Sequence, residues 1–247
     1  MATLDNAVHS FWLSNPKFIA PGINSSHSIQ SASLANGDND IYTVPTGKKF
    51  LFGRVGFYNA SGGSITCYPE VKIGGTYYRV GANAAVGNNT FNAPVVVAPN
   101  LVLSAGQVLA VNTNAAGINL VYITGYEFDA GIPLTTTFTT SFSAGDNTVY
   151  TCPSGKTAVL STTTAAAVSN GLRYYNSSGG TRTIYANQVL SGGSPSTTNQ
   201  CWDAEAVTNN NNTVIELTNV LSAGDFINLN VDANTATQYC WITAYEY

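Results

Sequence analysis

Apolar positions along this chain recur with a period of two, in short runs rich in β-branched and aromatic residues. The run at 49–59, KFLFGRVGFYN, is the clearest of them. An unbroken strand through it sets Phe50, Phe52, Arg54 and Tyr58 on one side and Leu51, Val55 and Phe57 on the other. Apolar groups on both sides predict a strand that is covered on both faces. Turn-forming clusters (SGGS, IGGT, SAGQ, SAGD, NSSGG and NNNN) separate the runs. The pattern predicts an all-β chain built as a sandwich.

The pattern is also written twice. Residues 41–49 read IYTVPTGKK and residues 149–157 answer VYTCPSGKT. FYNASGGSIT at 57–66 returns as YYNSSGGTRT at 174–183, VLSAGQVLAVN at 102–112 as VLSAGDFINLN at 220–230, and YITGYEF at 122–128 as WITAYEY at 241–247. The offset grows from 108 to 119 residues, so the copies share a framework and differ in their connections. One passage has no simple counterpart: the second copy replaces the 49–55 region with a longer Ala/Thr/Ser-rich stretch at 158–173, to which no pairing is assigned. A display or binding scaffold gains area and valency by copying itself. A catalytic constellation does not.

Two modules of roughly 100 residues each suit the length. The expected organisation is an N-terminal arm at 1–30, a first β-sandwich at 31–128, a linker at 129–138 marked by Gly131 and Pro133, and a second sandwich at 139–247. Within the arm the period changes. Leu4, Val8, Phe11 and Trp12 fall on one helical face, after Thr3 as a cap and before Asn15-Pro16 as a stop, and Phe18, Ile19 and Pro21 extend the segment. A helix this short is marginal alone, so its apolar stripe must dock on its own domain, on another subunit or on a partner.

Only 9% of residues are charged, against about 25% in an ordinary domain. The surface must therefore be built from neutral polar residues. Net charge is -4 and there is no basic stripe to neutralise phosphates, which argues against nucleic acid as a partner. No stretch reaches the roughly 20 apolar residues of a membrane span, and the N-terminus lacks a basic region followed by a long apolar run. A soluble chain made without a secretory signal is expected. Sequons at Asn24, Asn59, Asn88, Asn176 and Asn211 are what so Asn- and Ser/Thr-rich a composition produces by chance. Cys152 stands where the first copy has Val44, and Cys240 where it has Val121, so these cysteines read as small buried hydrophobes rather than a disulfide framework. No ligand spacing for zinc is present.

Catalytic chemistry finds little purchase. Both histidines, His9 and His27, lie before the repeats, so a Ser/His/Asp triad would need its base from the arm. Glu127 and Glu246 are repeat-equivalent and read as outward carboxylates on a final strand; Asp38 and Asp146, each in a Gly-Asp-Asn triplet, read as turn formers that cap local backbone. No segment gathers the oxygens a calcium ion needs. The expectation is a protein without enzymatic activity, cofactor or metal. Aromatic pairs leave one alternative open. Tyr78, Tyr175 and Trp202, with Arg79, Arg173 and Asp203 beside them, are candidates for a platform on which sugar rings stack.

The leucine, small residues and glycine of LSAG turn the chain into an alternating strand, with Leu109 and Val111 opposite Val108, Ala110 and Asn112. At this point each module resembles jelly-roll domains of the tumour-necrosis-factor and C1q kind and of phage virions, where an L-x-x-G-D turn leads into a late strand. Gly224 and Asp225 match that pattern, whereas Gly106 is followed by Gln107, which marks Asp225 as a turn residue and not an obligatory ligand. In low charge, Asn/Thr/Gly-rich loops, LSAG turns and a terminal aromatic-Glu-aromatic strand, the chain resembles capsid decoration (cement) proteins of tailed bacteriophages. That resemblance implies tandem jelly-roll-like modules, a virion location after synthesis in the host cytoplasm, a homo-oligomer (trimer or dimer), and the major capsid protein as partner. Its capsid contact would fall on Leu4, Val8, Phe11, Trp12 and Phe18. The alternative is a receptor-binding tail or head fibre module that recognises host glycans through Tyr78, Tyr175 or Trp202.

Overall fold

A computed structural model describes residues 23–31, 33–160, 171–217, 219–233 and 238–247; the helix expected near residues 3–14 lies outside them. The chain divides into two compact units, with the boundary between Ile132 and Pro133. The first holds β1 (Ile23–Ser31), β2 (Gly37–Thr43), β3 (Lys48–Asn59), β4 (Ile65–Ile73), β5 (Thr76–Arg79), β6 (Ala84–Val86), β7 (Thr90–Ser104), β8 (Val108–Thr113) and β9 (Ile118–Asp129). They form two antiparallel sheets, β1-β9-β3-β7 and β2-β8-β4-β5, with β6 continuing the edge beside β4. Counting β5 and β6 as one position, this is the jelly-roll order.

The second unit holds β10 (Leu134–Thr139), β11 (Gly145–Thr151), β12 (Thr157–Leu160), β13 (Gly171–Asn176), β14 (Arg182–Val189), β15 (Gln200–Val207), β16 (Asn211–Glu216), β17 (Asn219–Ser222), β18 (Phe226–Val231) and β19 (Gln238–Glu246). One sheet, β11-β18-β14-β15, repeats its counterpart strand for strand. In the other, β10 borders one side of β19, and β12 and β13 share the other side end to end. The passage without a counterpart thus has strands at both ends, and together they occupy the place of the single β3. Likewise β16 and β17 stand in for β7.

Two expected boundaries move. Residues 129–138 are not a linker: Leu134–Thr139 is an edge strand whose partners run from Leu134↔Tyr245 to Thr139↔Cys240, leaving a turn closed by the Ile132 N–H on the Asp129 carbonyl. Nor does an arm extend to residue 30, because Ile23–Ser31 pairs with β9. Both edge strands are rich in Ser and Thr, and an edge position needs backbone pairing more than apolar side chains. Sequence hydrophobicity therefore passes over them.

The period of β3 is corrected as well. Phe52 faces Gly125 and Arg54 faces Thr124, consecutive partners, so Gly53 is the extra residue of a bulge. The bulge reverses the alternation downstream. Phe50, Phe52, Val55 and Phe57 are all buried to within 1% as a result. The two sheets of this unit meet where Tyr42 of β2 packs against Phe50 of β3, ring centroids 5.1 Å apart. The second core draws Val149, Ile184, Ile227 and Leu229 from one sheet and Leu172, Tyr174, Ile215 and Ile242 from the other.

Candidate functional site

The repeated polar residues brace each frame. Asn39 Nδ2 donates to the carbonyls of Ala35 and Gly37, and its Oδ1 accepts from the Ala35 N–H; Asn147 makes the same bonds with Ser143 and Gly145. The local cap is thus the asparagine, while Asp38 and Asp146 accept across the strand pair from Asn112 and Asn230. Asn59 donates to Gly63 and Val86 and accepts from the Ser61 N–H; Asn176 repeats this with Gly180, Val207 and Ser178. Their amide nitrogens are committed to buried carbonyls, so neither sequon offers a glycosylation site in the folded chain. Asp225 accepts from the N–H groups of Ser191 and Ser222, the turn role expected of it. All four cysteines are free.

Glu127 and Glu246 do not face outward as expected: each shares the core-side face of its strand with a buried partner, Phe50 or Ala158. The Tyr42 hydroxyl on β2 donates to Glu127 on β9 at 2.6 Å, and Tyr150 on β11 donates to Glu246 on β19 at 2.9 Å. Each bond ties one sheet of its sandwich to the other. Burial, with the carboxylate beside it, pushes both phenols well above the usual range, so they remain donors.

Charged groups gather on the outer face of β2-β8-β4-β5. Lys72 bonds to Asp40 at 2.8 Å, the Tyr77 hydroxyl donates to Asp40 at 2.9 Å, and the Arg79 guanidinium lies 4.5 Å from the Tyr68 ring centre. At the centre Glu70 is only 6% exposed. Burial first, then the Asp38 carboxylate, push its pKa up to about 8, against the opposing pull of Arg79. This face can hold and exchange a proton. Among the described residues no group of three or more His, Cys, Asp or Glu is placed for a metal. In the second sandwich Asn187 and Asn228, a facing pair on β14 and β18, replace Glu70 and Ala110.

Tyr175 and Trp202, the candidate glycan-stacking rings of the second unit, lie on different sheets. Tyr78 pairs with Val71 on the core side of β4, so the outward member of its pair is Tyr77. Trp202 packs against the second core. Tyr175 turns away from that core, but it is 5% exposed and stacks on Tyr239 with centroids 4.9 Å apart. Tyr239 stacks in turn near Trp241, and Trp241 near Phe138. This aromatic ladder was not anticipated. Its signal is the period of two through YCWITAY, read with the identity of β10 as the neighbouring strand. The capsid-contact candidates Leu4, Val8, Phe11, Trp12 and Phe18 lie outside the described residues.

The fold class is therefore a pair of jelly-roll sandwiches. No protein-family model and no curated protein matches the sequence. Among solved structures the chain is similar to a pentameric capsid protein isolated from metagenomic phage sequences, at 24% identity, 41% coverage of this chain, 59% of that one and a TM-score of 0.22. It thus matches less than two thirds of that protein's length. Others are Sulfolobus turreted icosahedral virus (11% identity, 93% and 60% coverage, TM-score 0.28) and a peptide-N4-(N-acetyl-β-D-glucosaminyl)asparagine amidase (10%, 89% and 96%, TM-score 0.35).

Proposed function

We propose that this protein is a non-enzymatic structural component of a bacteriophage virion, a decoration or cement protein that binds the capsid as a homo-oligomer and bridges major capsid subunits. The observation that carries the reading is the jelly-roll order present twice in one chain, with the shared polar residues spent on bracing the frame. Jelly rolls serve as virus-shell and lectin domains, and a shell role follows from this fold by analogy. A protein that binds only the assembled lattice stabilises that lattice by linkage. The shell contact falls in this reading on the N-terminal residues Leu4, Val8, Phe11, Trp12 and Phe18.

Immunogold labelling of producing cells and their lysate tests the location: gold over capsid shells is expected, and absence of gold from particles discards the reading. The contact is tested by pelleting with purified shells. Deletion of residues 2–22, which spares β1, should abolish co-sedimentation, and retained binding removes the N-terminal contact.

A further inference from the structure

The β10-β19-β13 sheet has one face for its own core, supplied by Tyr174, Cys240, Ile242 and Ala244, and one face turned away from it. That second face carries Tyr175, Tyr239, Trp241 and Phe138 as a stacked ladder. A sheet face open to water leaves the flat of an aromatic ring wet, yet Trp241 is 2% exposed, Tyr175 5% and Tyr239 8%. Another layer covers them. Arg173, paired with Trp241 across β13 and β19, adds a second requirement: its Nε is buried with no acceptor, and burial pushes the guanidinium pKa down to about 10. Whatever lies on this face must bring both an apolar stripe and an acceptor for a cation.

We propose that the layer is the chain's own N-terminal segment, a helix over residues 3–14 that lays Leu4, Val8, Phe11 and Trp12 on the ladder and offers Asp5 to Arg173. Asp5 is the one carboxylate in the first 22 residues. At about 100° per residue it stands on the flank of the stripe nearest Trp12, where an edge contact belongs. The stretch at 161–170, STTTAAAVSN, has neither an aromatic ring nor a carboxylate to offer. Docking here does not depend on the shell reading. If both hold, the stripe exchanges between its own sheet and the capsid.

The test uses the full chain and its three tryptophans, Trp12, Trp202 and Trp241, whose indole N–H signals in NMR are assigned from single Trp→Phe variants. In the L4D/V8D variant the Trp12 and Trp241 signals should both shift, while Trp202, on the other sheet, holds its place and reports an intact frame. Asp5→Asn should move the Arg173 Nε–H signal alone among the guanidinium groups. A Trp241 signal unmoved by L4D/V8D overturns the proposal. So does a Trp241 signal that shifts on dilution of the native chain, which assigns the cover to a second copy, or one that responds only to Ala166→Asp. Should L4D/V8D disturb Trp202 as well, Asp5→Asn decides the matter. Shell pelleting reads a different contact, so either proposal can fail without the other.

Discussion

The two sandwiches place their strands alike and fill their cores differently. In the first, Phe50 lies against Gly125, where a Cβ would collide with the Phe50 ring and the Leu51 carbonyl oxygen. In the second, the equivalent residues are Ala158 and Ala244, both buried. One large side chain over a glycine has become two alanines, with β19 and β12 still paired in the same register. Bonds that brace the frame allow no such exchange: the asparagine caps and the tyrosine-glutamate ties keep both residue and geometry in each copy. A core needs volume, which neighbours can share out. A buried carbonyl needs one donor in one direction.

Breaking the volume exchange should have the largest effect. Phe50→Ala should cost roughly 3–5 kcal/mol as a cavity, and Gly125→Ala about 1–3 kcal/mol by overpacking. The double variant recreates the pair of the second sandwich, so its cost should fall short of the sum by at least about 1 kcal/mol. Urea unfolding followed by circular dichroism checks this. Strict additivity would sink the compensation argument.

Next in size are the buried asparagines. Asn59→Ala or Asn176→Ala removes three bonds and strands two carbonyls, for a cost of about 2–3 kcal/mol in either sandwich. Unequal losses beyond about 1 kcal/mol in unfolding titrations would show that the copies do not lean on this residue equally.

How much of this was legible in the sequence follows the same division. The repeat, the all-β class and the turn role of Asp225 were readable because glycine turns and apolar alternation are local signals. The bulge at Gly53 was not, since one inserted residue leaves the composition of β3 unchanged and only its pairing reveals it. The Ser/Thr edge strands β1 and β10 escaped because their stabilisation comes from backbone bonds to β9 and β19. At the candidate site the sequence does not tell Tyr77 from Tyr78, nor reveal that Tyr175 is covered, because facing is fixed by register and cover rather than residue type. The tyrosine-glutamate ties join positions 85 and 96 residues apart and had no local signature at all.

Those ties should be worth less than the asparagines. Tyr42→Phe and Tyr150→Phe each remove one bond to a carboxylate and should cost about 1.5–2 kcal/mol. In the second sandwich Thr135 also donates to Glu246, at 3.2 Å, so Tyr150→Phe leaves that carboxylate partnered. Urea unfolding of both variants checks the size of the loss. A change under about 0.5 kcal/mol in both would mean that the sheets are held together by core packing alone.

The smallest change should come from making the outer polar face of the first sandwich resemble that of the second. Glu70 occupies the place of Asn187, a carboxyl where the other copy has an amide. Its folded pKa is pushed up to about 8, whereas an unfolded glutamate ionises near its ordinary value of 4.5. Between those limits the folded chain holds a proton that the unfolded chain has released, so stability from this group is full below about pH 4.5 and declines as pH rises toward 8. Glu70→Gln keeps a neutral polar group beside Asp38 and removes the titration. At pH 8 the variant should melt about 5 °C above the native chain, and at pH 4 the two should coincide within about 2 °C. Asp40, whose carboxyl is held below its usual range by Lys72 and Tyr77 despite burial, titrates in the opposite sense and below that window, so it leaves the comparison between pH 5 and 8 undisturbed. Melting curves across that range decide the point: if the native chain and the Gln variant run parallel, Glu70 is ionised in the folded protein.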